Sequence, residues 1–124
     1  MCPNLEIVPG VPMERIQKYF DRAKVLVNTS DFEGFSNTFV QAGLSRTAIV
    51  SLRVNPDNFL KKYNCGYVCD GSIEVLIRRV KELVYHQELC NLLGQNLRDY
   101  VMQYNDLAAN TRQVKSLLEQ VLQK

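Results

Sequence analysis

Two carboxylates, Asp31 and Glu33, lie in the stretch SDFEGFSNTF at residues 30–39, shortly after the apolar run KVLVN at residues 24–28. A carboxylate beside a buried strand is costly unless a partner compensates its charge. Gly34 follows, and the apolar residues after it recur at helical spacing. The pattern predicts that the chain leaves a strand, forms an acidic loop and begins a helix.

The start of that helix has the chemistry of an anion site. The backbone N–H groups of Gly34, Phe35 and Ser36 would lack intrahelical partners, and the helix dipole favours negative charge there. Gly34 has no Cβ, so a ligand can approach its backbone closely. Because carboxylates accept hydrogen bonds from hydroxyl groups, a ligand with both phosphate and hydroxyl groups, such as a nucleotide sugar, would satisfy both parts of the pattern.

A structural alternative explains the same residues without a ligand. Ser30 or Asp31 could be the N-cap of the helix, with Glu33 completing a capping box three residues after Ser30. On spacing alone this alternative is favoured, because helix caps are far commoner than sugar sites.

The surrounding elements indicate where the acidic loop lies in the fold. Four short apolar runs predict strands, at residues 5–8, 24–28, 47–52 and 66–70. Residues 12–22 and 35–44 show helical spacing, and three further amphipathic helices follow residue 72. This alternation predicts an α/β fold, a partial Rossmann-like parallel sheet of about four strands with a helical C-terminal tail. Ligands of such sheets bind outside the carboxyl ends of the strands, where the acidic loop falls.

Composition narrows the class of protein. The 124 residues and 46% hydrophobic content predict one globular domain, and a net charge of +2 is too small to predict nucleic-acid binding. Neither an 18-residue apolar run nor a signal-peptide core appears, which predicts a cytoplasmic protein with reduced thiols. Cys65 and Cys69, with the single histidine His86 far along the chain, make a poor zinc set, so no metal is expected.

A longer stretch carries a family resemblance. VPGVPMERIQKYFDRAKVLVNTSDFEGFSNTFVQAGLSRTAIVSL, residues 8–52, resembles the donor-binding half of group 1 retaining glycosyltransferases, which have the GT-B fold. The positions that match the family pattern are Ala23-Lys24, Ser30, Glu33-Gly34-Phe35, Ala42-Gly43 and Gly66-Tyr67-Val68. The order and spacing of these positions make the resemblance more specific than the Glu-Gly-Phe signature alone.

The resemblance implies transfer of a hexose from a nucleotide-sugar donor, with no other cofactor, in polysaccharide biosynthesis. Glu33 would be the catalytic-site carboxylate that accepts hydrogen bonds from the sugar hydroxyls. Gln41 stands where many members have a glutamate and would contact the ribose through an uncharged amide. The remaining donor-binding positions would act through their backbone: Gly34, Phe35, Ser36, Asn37 and Thr38 on the sugar and diphosphate, and Gly10 and Val11 against the base.

The resemblance also implies what lies outside residues 1–124, which are expected to form one partial domain. Two strand–helix units with a basic pair, and an acceptor-binding domain, precede this region in the family. The chain alone is therefore expected to be inactive, with a missing domain or another subunit as partner and a location that extends to the membrane periphery through the parent enzyme. Without those units, residues 5–8 are expected either to pair with residues 24–28 or to leave an open sheet edge for another copy of the chain.

Three alternatives remain open from the sequence. A non-catalytic binding or assembly module could use the same fold. A receiver-like signalling domain is disfavoured, since it needs acidic residues from two strands and a lysine after a later one. Arg53, after the strand at residues 47–52, could be a solvated loop arginine or could reach a phosphate.

Overall fold

Three short parallel strands form the centre of the molecule in a computed structural model, which describes residues 3–33, 37–104 and 107–123. The strands lie in the order β1-β2-β3 and are β1 (Val25–Asn28), β2 (Ala48–Ser51) and β3 (Gly66–Val68). Asn28 is paired with Ser51, and Ser51 with Val68, so the three strands end side by side. The predicted α/β fold with a parallel sheet is confirmed.

Helices connect and follow the strands. They are α1 (Met13–Arg22), α2 (Asn37–Leu44), α3 (Phe59–Lys62), α4 (Ile73–Tyr85), α5 (Gln87–Tyr104) and α6 (Leu107–Leu122), with a 3-10 turn at Pro56–Asn58. α4 begins with an N-cap, because the Ser72 hydroxyl accepts a hydrogen bond from the Val75 backbone N–H at 3.2 Å. The helical C-terminal region predicted from three apolar stripes is thus present.

The central strand β2 is buried on both faces. Ile49 packs in a cluster with Phe39, Phe59 and Leu97, whereas Val50 packs on the opposite side of the sheet. Successive side chains of a strand point to opposite faces, so a strand covered on both sides must be apolar throughout. This explains the continuous apolar run that predicted β2.

The predicted strand at residues 5–8 was wrong. These residues take no regular structure, and the side chains of Leu5 and Ile7 are 67% and 86% exposed. They do not pair with β1, which is an edge strand of the described sheet. An apolar run forms a strand only where a neighbouring strand supplies hydrogen-bond partners, so the sheet has three strands in the described residues instead of about four.

The packing of α2 and the exposure of α6 complete the description of the fold. Gly43 of α2 lies so close to α5 that a Cβ on it would be 2.4 Å from Cγ2 of Val101. α6 leaves its apolar residues exposed, including Leu117 at 61% and Val121 at 65%. Within the described residues, no helix combines the length and apolar character that a membrane crossing requires.

Candidate functional site

Several of the predicted site residues lie near the carboxyl edge of the sheet, where the strands end. α1 ends just before β1 begins, so α1 runs opposite to β1 and its N-terminus lies toward this edge. α2 is parallel to α1, because Gln17 Nε2 donates to the Gln41 carbonyl at 3.1 Å and Asp21 bonds Ser45 one turn further along both helices. Both helices therefore begin where the strands end, as in α/β domains that bind ligands at this edge.

Glu33 is held by two side chains at this edge. Its Oε1 accepts a hydrogen bond from the Ser30 hydroxyl at 2.8 Å, and its Oε2 lies 3.5 Å from Asn28 Nδ2. Asn28, only 8% exposed, also accepts a hydrogen bond from the Ser30 backbone N–H at 2.9 Å. A carboxylate has about four acceptor positions, so these contacts orient Glu33 and leave room for hydroxyl groups of a ligand.

The capping-box alternative is not formed. In a capping box, the Glu33 carboxylate would accept the Ser30 backbone N–H, but that N–H bonds Asn28 instead. Residues 31–33 are not helical, and α2 is described from Asn37 onward. Ser30 and Glu33 thus form a side-chain pair within a loop, and a helix cap does not explain them.

The second carboxylate has a different partner. Asp31 Oδ1 lies 3.0 Å from Nε of Arg53, and the two side chains are 71% and 51% exposed. Arg53 follows β2, and its guanidinium also lies against Gly71, where a Cβ would be 2.5 Å from Nη1. Gly71 follows β3, so Arg53 joins the loops after all three strands.

The structure places three of the eight predicted donor-binding residues in the first two described turns of α2. Asn37 and Thr38 form the first described turn of α2, and Gln41 is partly buried one turn further. Gly34, Phe35 and Ser36 lie outside the described residues, and the predicted amide site there stays a prediction.

Gly10 and Val11 line a groove of about 740 Å³ between the N-terminal segment and α1. A Cβ on Gly10 would meet nothing within 4 Å, so its backbone faces open space. Three basic residues of α1 also line the groove: Arg15, Lys18 and Arg22. The volume is in the range of small-ligand pockets.

Sequence reasoning missed two polar residues under the site. Asn28 and Ser51 are paired across β1 and β2 and are buried, and the Ser51 hydroxyl has no hydrogen-bond partner among the described residues. Polar residues at the last position of two apolar strands were the available signal.

The buried thiol of Cys65 is unreactive near neutral pH, since burial raises its pKa to about 12. No group of three metal-ligating side chains occurs in the described part of the chain.

The fold and the site together define a class: parallel α/β domains in which an acidic loop and helix N-termini lie at the carboxyl edge of the sheet, the edge where open α/β sheets generally place ligands. Within that class, the family model of group 1 glycosyl transferases matches residues 3–100. The chain therefore belongs to the group 1 glycosyltransferase family. Comparison with curated proteins and with solved structures gave no match.

Proposed function

We propose that this chain binds the nucleotide-sugar donor of a retaining hexosyl transfer, with Glu33 as the residue that holds the sugar. The observation that carries the proposal is the geometry of the Glu33 carboxylate, fixed by Ser30 and Asn28 at the carboxyl edge of the sheet. Orienting a carboxylate before the substrate arrives lowers the cost of ordering it on binding. Family membership supports glycosyl transfer as the reaction.

In this proposal the donor lies across the edge from Glu33 to Gly10. Glu33 accepts hydrogen bonds from the sugar hydroxyls, and backbone N–H groups from Gly34 to Thr38 bind the diphosphate and stabilise it as the leaving group. Gln41 contacts the ribose, while the open backbone at Gly10 and Val11 lies against the base. The groove beside α1 supports this placement, because it gives the nucleoside room next to Gly10.

In this proposal, a second domain or subunit binds the acceptor substrate. His86 is the only histidine of the chain, and it follows α4, which starts near the end of β3 and leads away from the carboxyl edge. We expect weak donor binding by this chain alone and turnover only with an acceptor-binding domain or subunit.

The test is a calorimetric titration of the wild-type chain with a panel of nucleotide sugars and the matching nucleoside diphosphates. Glu33→Ala should reduce nucleotide-sugar affinity about tenfold or more, toward that of the diphosphate alone, because each lost charge-assisted hydrogen bond is worth about 1.5–3 kcal/mol. Glu88→Ala, an exposed glutamate in the first turn of α5, is the matched control. A wild-type chain that does not distinguish the sugar from the diphosphate would contradict the proposal.

A second candidate is a non-catalytic assembly module of the same fold. Its support is the outer edge of β1, which pairs with no further strand among the described residues and where Val27 is 40% exposed, together with the exposed apolar residues of α6. The same titration separates the two functions, since an assembly module should show no Glu33-dependent binding of nucleotide sugar.

A further inference from the structure

We propose that Arg53 is the side chain that binds the diphosphate of the donor, and that Asp31 holds the Arg53 guanidinium at the site until the diphosphate displaces it. This inference rests on the proposed function and identifies the charge partner of the leaving group. In the proposed function the diphosphate receives hydrogen bonds from main-chain amides, which carry no full positive charge to match it.

The position of Arg53 carries the first step of the argument. The residue lies two positions beyond the end of β2, the central strand, and its Nε is 3.0 Å from Asp31 in the loop that also holds Glu33. Asp31 and Glu33 are two residues apart, so the guanidinium lies within the same loop region as the sugar-binding carboxylate. A leaving group next to a sugar held by Glu33 would meet this cation.

The loop after β3 supports the guanidinium from the other side. Gly71 has a φ of +84°, its N–H donates to the Leu52 carbonyl at 2.8 Å, and it has no Cβ where Nη1 of Arg53 lies. Any other residue at position 71 would place a Cβ 2.5 Å from that nitrogen and would also be strained at this φ. The missing side chain at Gly71 thus leaves room for the Arg53 guanidinium beside the backbone.

The Asp31–Arg53 pair is suited to exchange. Both side chains are at least half exposed, and exposed ion pairs contribute little to stability. A diphosphate carries more than one negative charge and matches the guanidinium fork through paired hydrogen bonds. It should therefore replace a single exposed carboxylate readily, while Asp31 keeps the empty site from exposing an unpaired cation.

Arg79 shows what a structural arginine looks like in the same chain. Its guanidinium pairs with Glu82 at 3.0 Å and stacks over the Tyr67 ring at 4.2 Å, both within the region of β3 and α4. Two independent contacts fix Arg79 in the fold. Among the described residues, Arg53 has one exposed ion pair at 3.0 Å and a backbone contact at Gly71, and it lies where the strands end.

The experiment is a titration of the full chain, followed by NMR or calorimetry, with inorganic pyrophosphate, with uridine, guanosine and adenosine diphosphates, and with the corresponding nucleosides. Arg53→Gln should weaken binding of pyrophosphate and of the preferred diphosphate about tenfold and leave nucleoside binding unchanged. Asp31→Asn should strengthen diphosphate binding a few-fold, because it removes the competing carboxylate. Arg112→Gln, the same charge change on exposed α6, should have no effect.

Each outcome bears on one of the two proposals. Equal diphosphate binding by wild type and Arg53→Gln would overturn the role of Arg53, and a Glu33-dependent sugar effect would still support the proposed function. Arg53-dependent pyrophosphate binding without nucleotide-sugar binding would support the anion site and overturn the proposed function. If Arg53→Gln unfolds, Asp31→Asn decides, because unchanged affinity in that folded variant contradicts the exchange.

Discussion

At the scale of single residues, two carboxylates in one loop have separate tasks. Glu33 is bonded to neutral donors, Ser30 and Asn28, whereas Asp31 is paired with a cation from the next loop. A carboxylate held by neutral groups keeps its charge available to a ligand, and one paired with Arg53 has its charge largely compensated. Glu33 is therefore the better candidate for sugar hydroxyls.

The buried hydroxyl of Ser51 leads to a stability prediction. Ser51→Ala should raise the free energy of unfolding by about 1 kcal/mol, because a buried polar group without a partner costs about 1–3 kcal/mol. Urea unfolding monitored by circular dichroism measures the change.

Thr47 provides the matched control for this prediction. It is also fully buried, but its hydroxyl donates to the Phe20 carbonyl at 2.9 Å. Thr47→Val should lower stability by about 1 kcal/mol, since it removes a buried hydrogen bond to the Phe20 carbonyl, which also accepts the Ala23 backbone N–H at 3.1 Å. If Ser51→Ala lowers stability as Thr47→Val does, the assignment of Ser51 as an unpartnered group is wrong.

At the scale of elements, the site depends on how closely α2 and α5 approach. α2 carries Gln41 and the turn at Asn37 and Thr38, and α5 covers it through Leu97 and Val101. Gly43 allows this contact because it has no side chain between the helices. The orientation of α2 at the carboxyl edge is therefore set by packing on its opposite end.

Gly43→Ala tests that contact. Alanine favours a helix over glycine by about 1 kcal/mol, but its Cβ would lie 2.4 Å from Cγ2 of Val101, a stiff β-branched side chain. Overpacking should dominate and lower the free energy of unfolding by about 1–3 kcal/mol, measured by urea unfolding.

Two further variants check the cause. Val101→Ala in the Gly43→Ala background should recover part of the loss, because it removes the clashing methyl groups. Gly10→Ala, where nothing lies within 4 Å of the added Cβ, should leave stability nearly unchanged. A Gly43→Ala protein as stable as wild type would show that the helices can separate at little cost.

At the scale of the whole molecule, alkaline pH should destabilise the fold through its buried thiols. Burial raises the pKa of Cys65 from 9.0 to about 12 and also raises the pKa values of Cys69 and Cys90. Above pH 9 the unfolded thiol loses its proton while the folded thiol keeps it, so the unfolded state is favoured progressively up to about pH 12. Stability from this source is complete below pH 9 and decreases as pH rises.

The measurement is the melting temperature, Tm, between pH 7.5 and about pH 10.5. The decrease in Tm over this interval should be smaller for Cys65→Ala than for the wild-type chain, whatever the absolute Tm of the variant. Parallel pH dependences would show that Cys65 titrates alike in the folded and unfolded states.

The alternation of strands and helices was predictable because it depends on local apolar periodicity, and β2 in particular needs only its own residues to be recognised. The strand at residues 5–8 was not predictable in the same way, because pairing depends on a distant neighbour. The same limit applies at the site. Glu33 was found from its motif, but its contact with Asn28 and the pairing of Asp31 with Arg53 arise only when separate strand ends meet.

The residues that hold the fold together and the residues of the proposed site are separate, and this affects how the specificity of the site can change. The glycine at position 43 and the apolar clusters around β2 hold the fold together, while Asp31, Arg53 and Gly71 lie in loops at the carboxyl edge. Substitutions of the exposed loop residues Asp31 and Arg53 remove little buried apolar surface and should rarely unfold the chain. If the proposed donor site is correct, libraries confined to the exposed residues of the strand-end loops should therefore change ligand preference without loss of the fold.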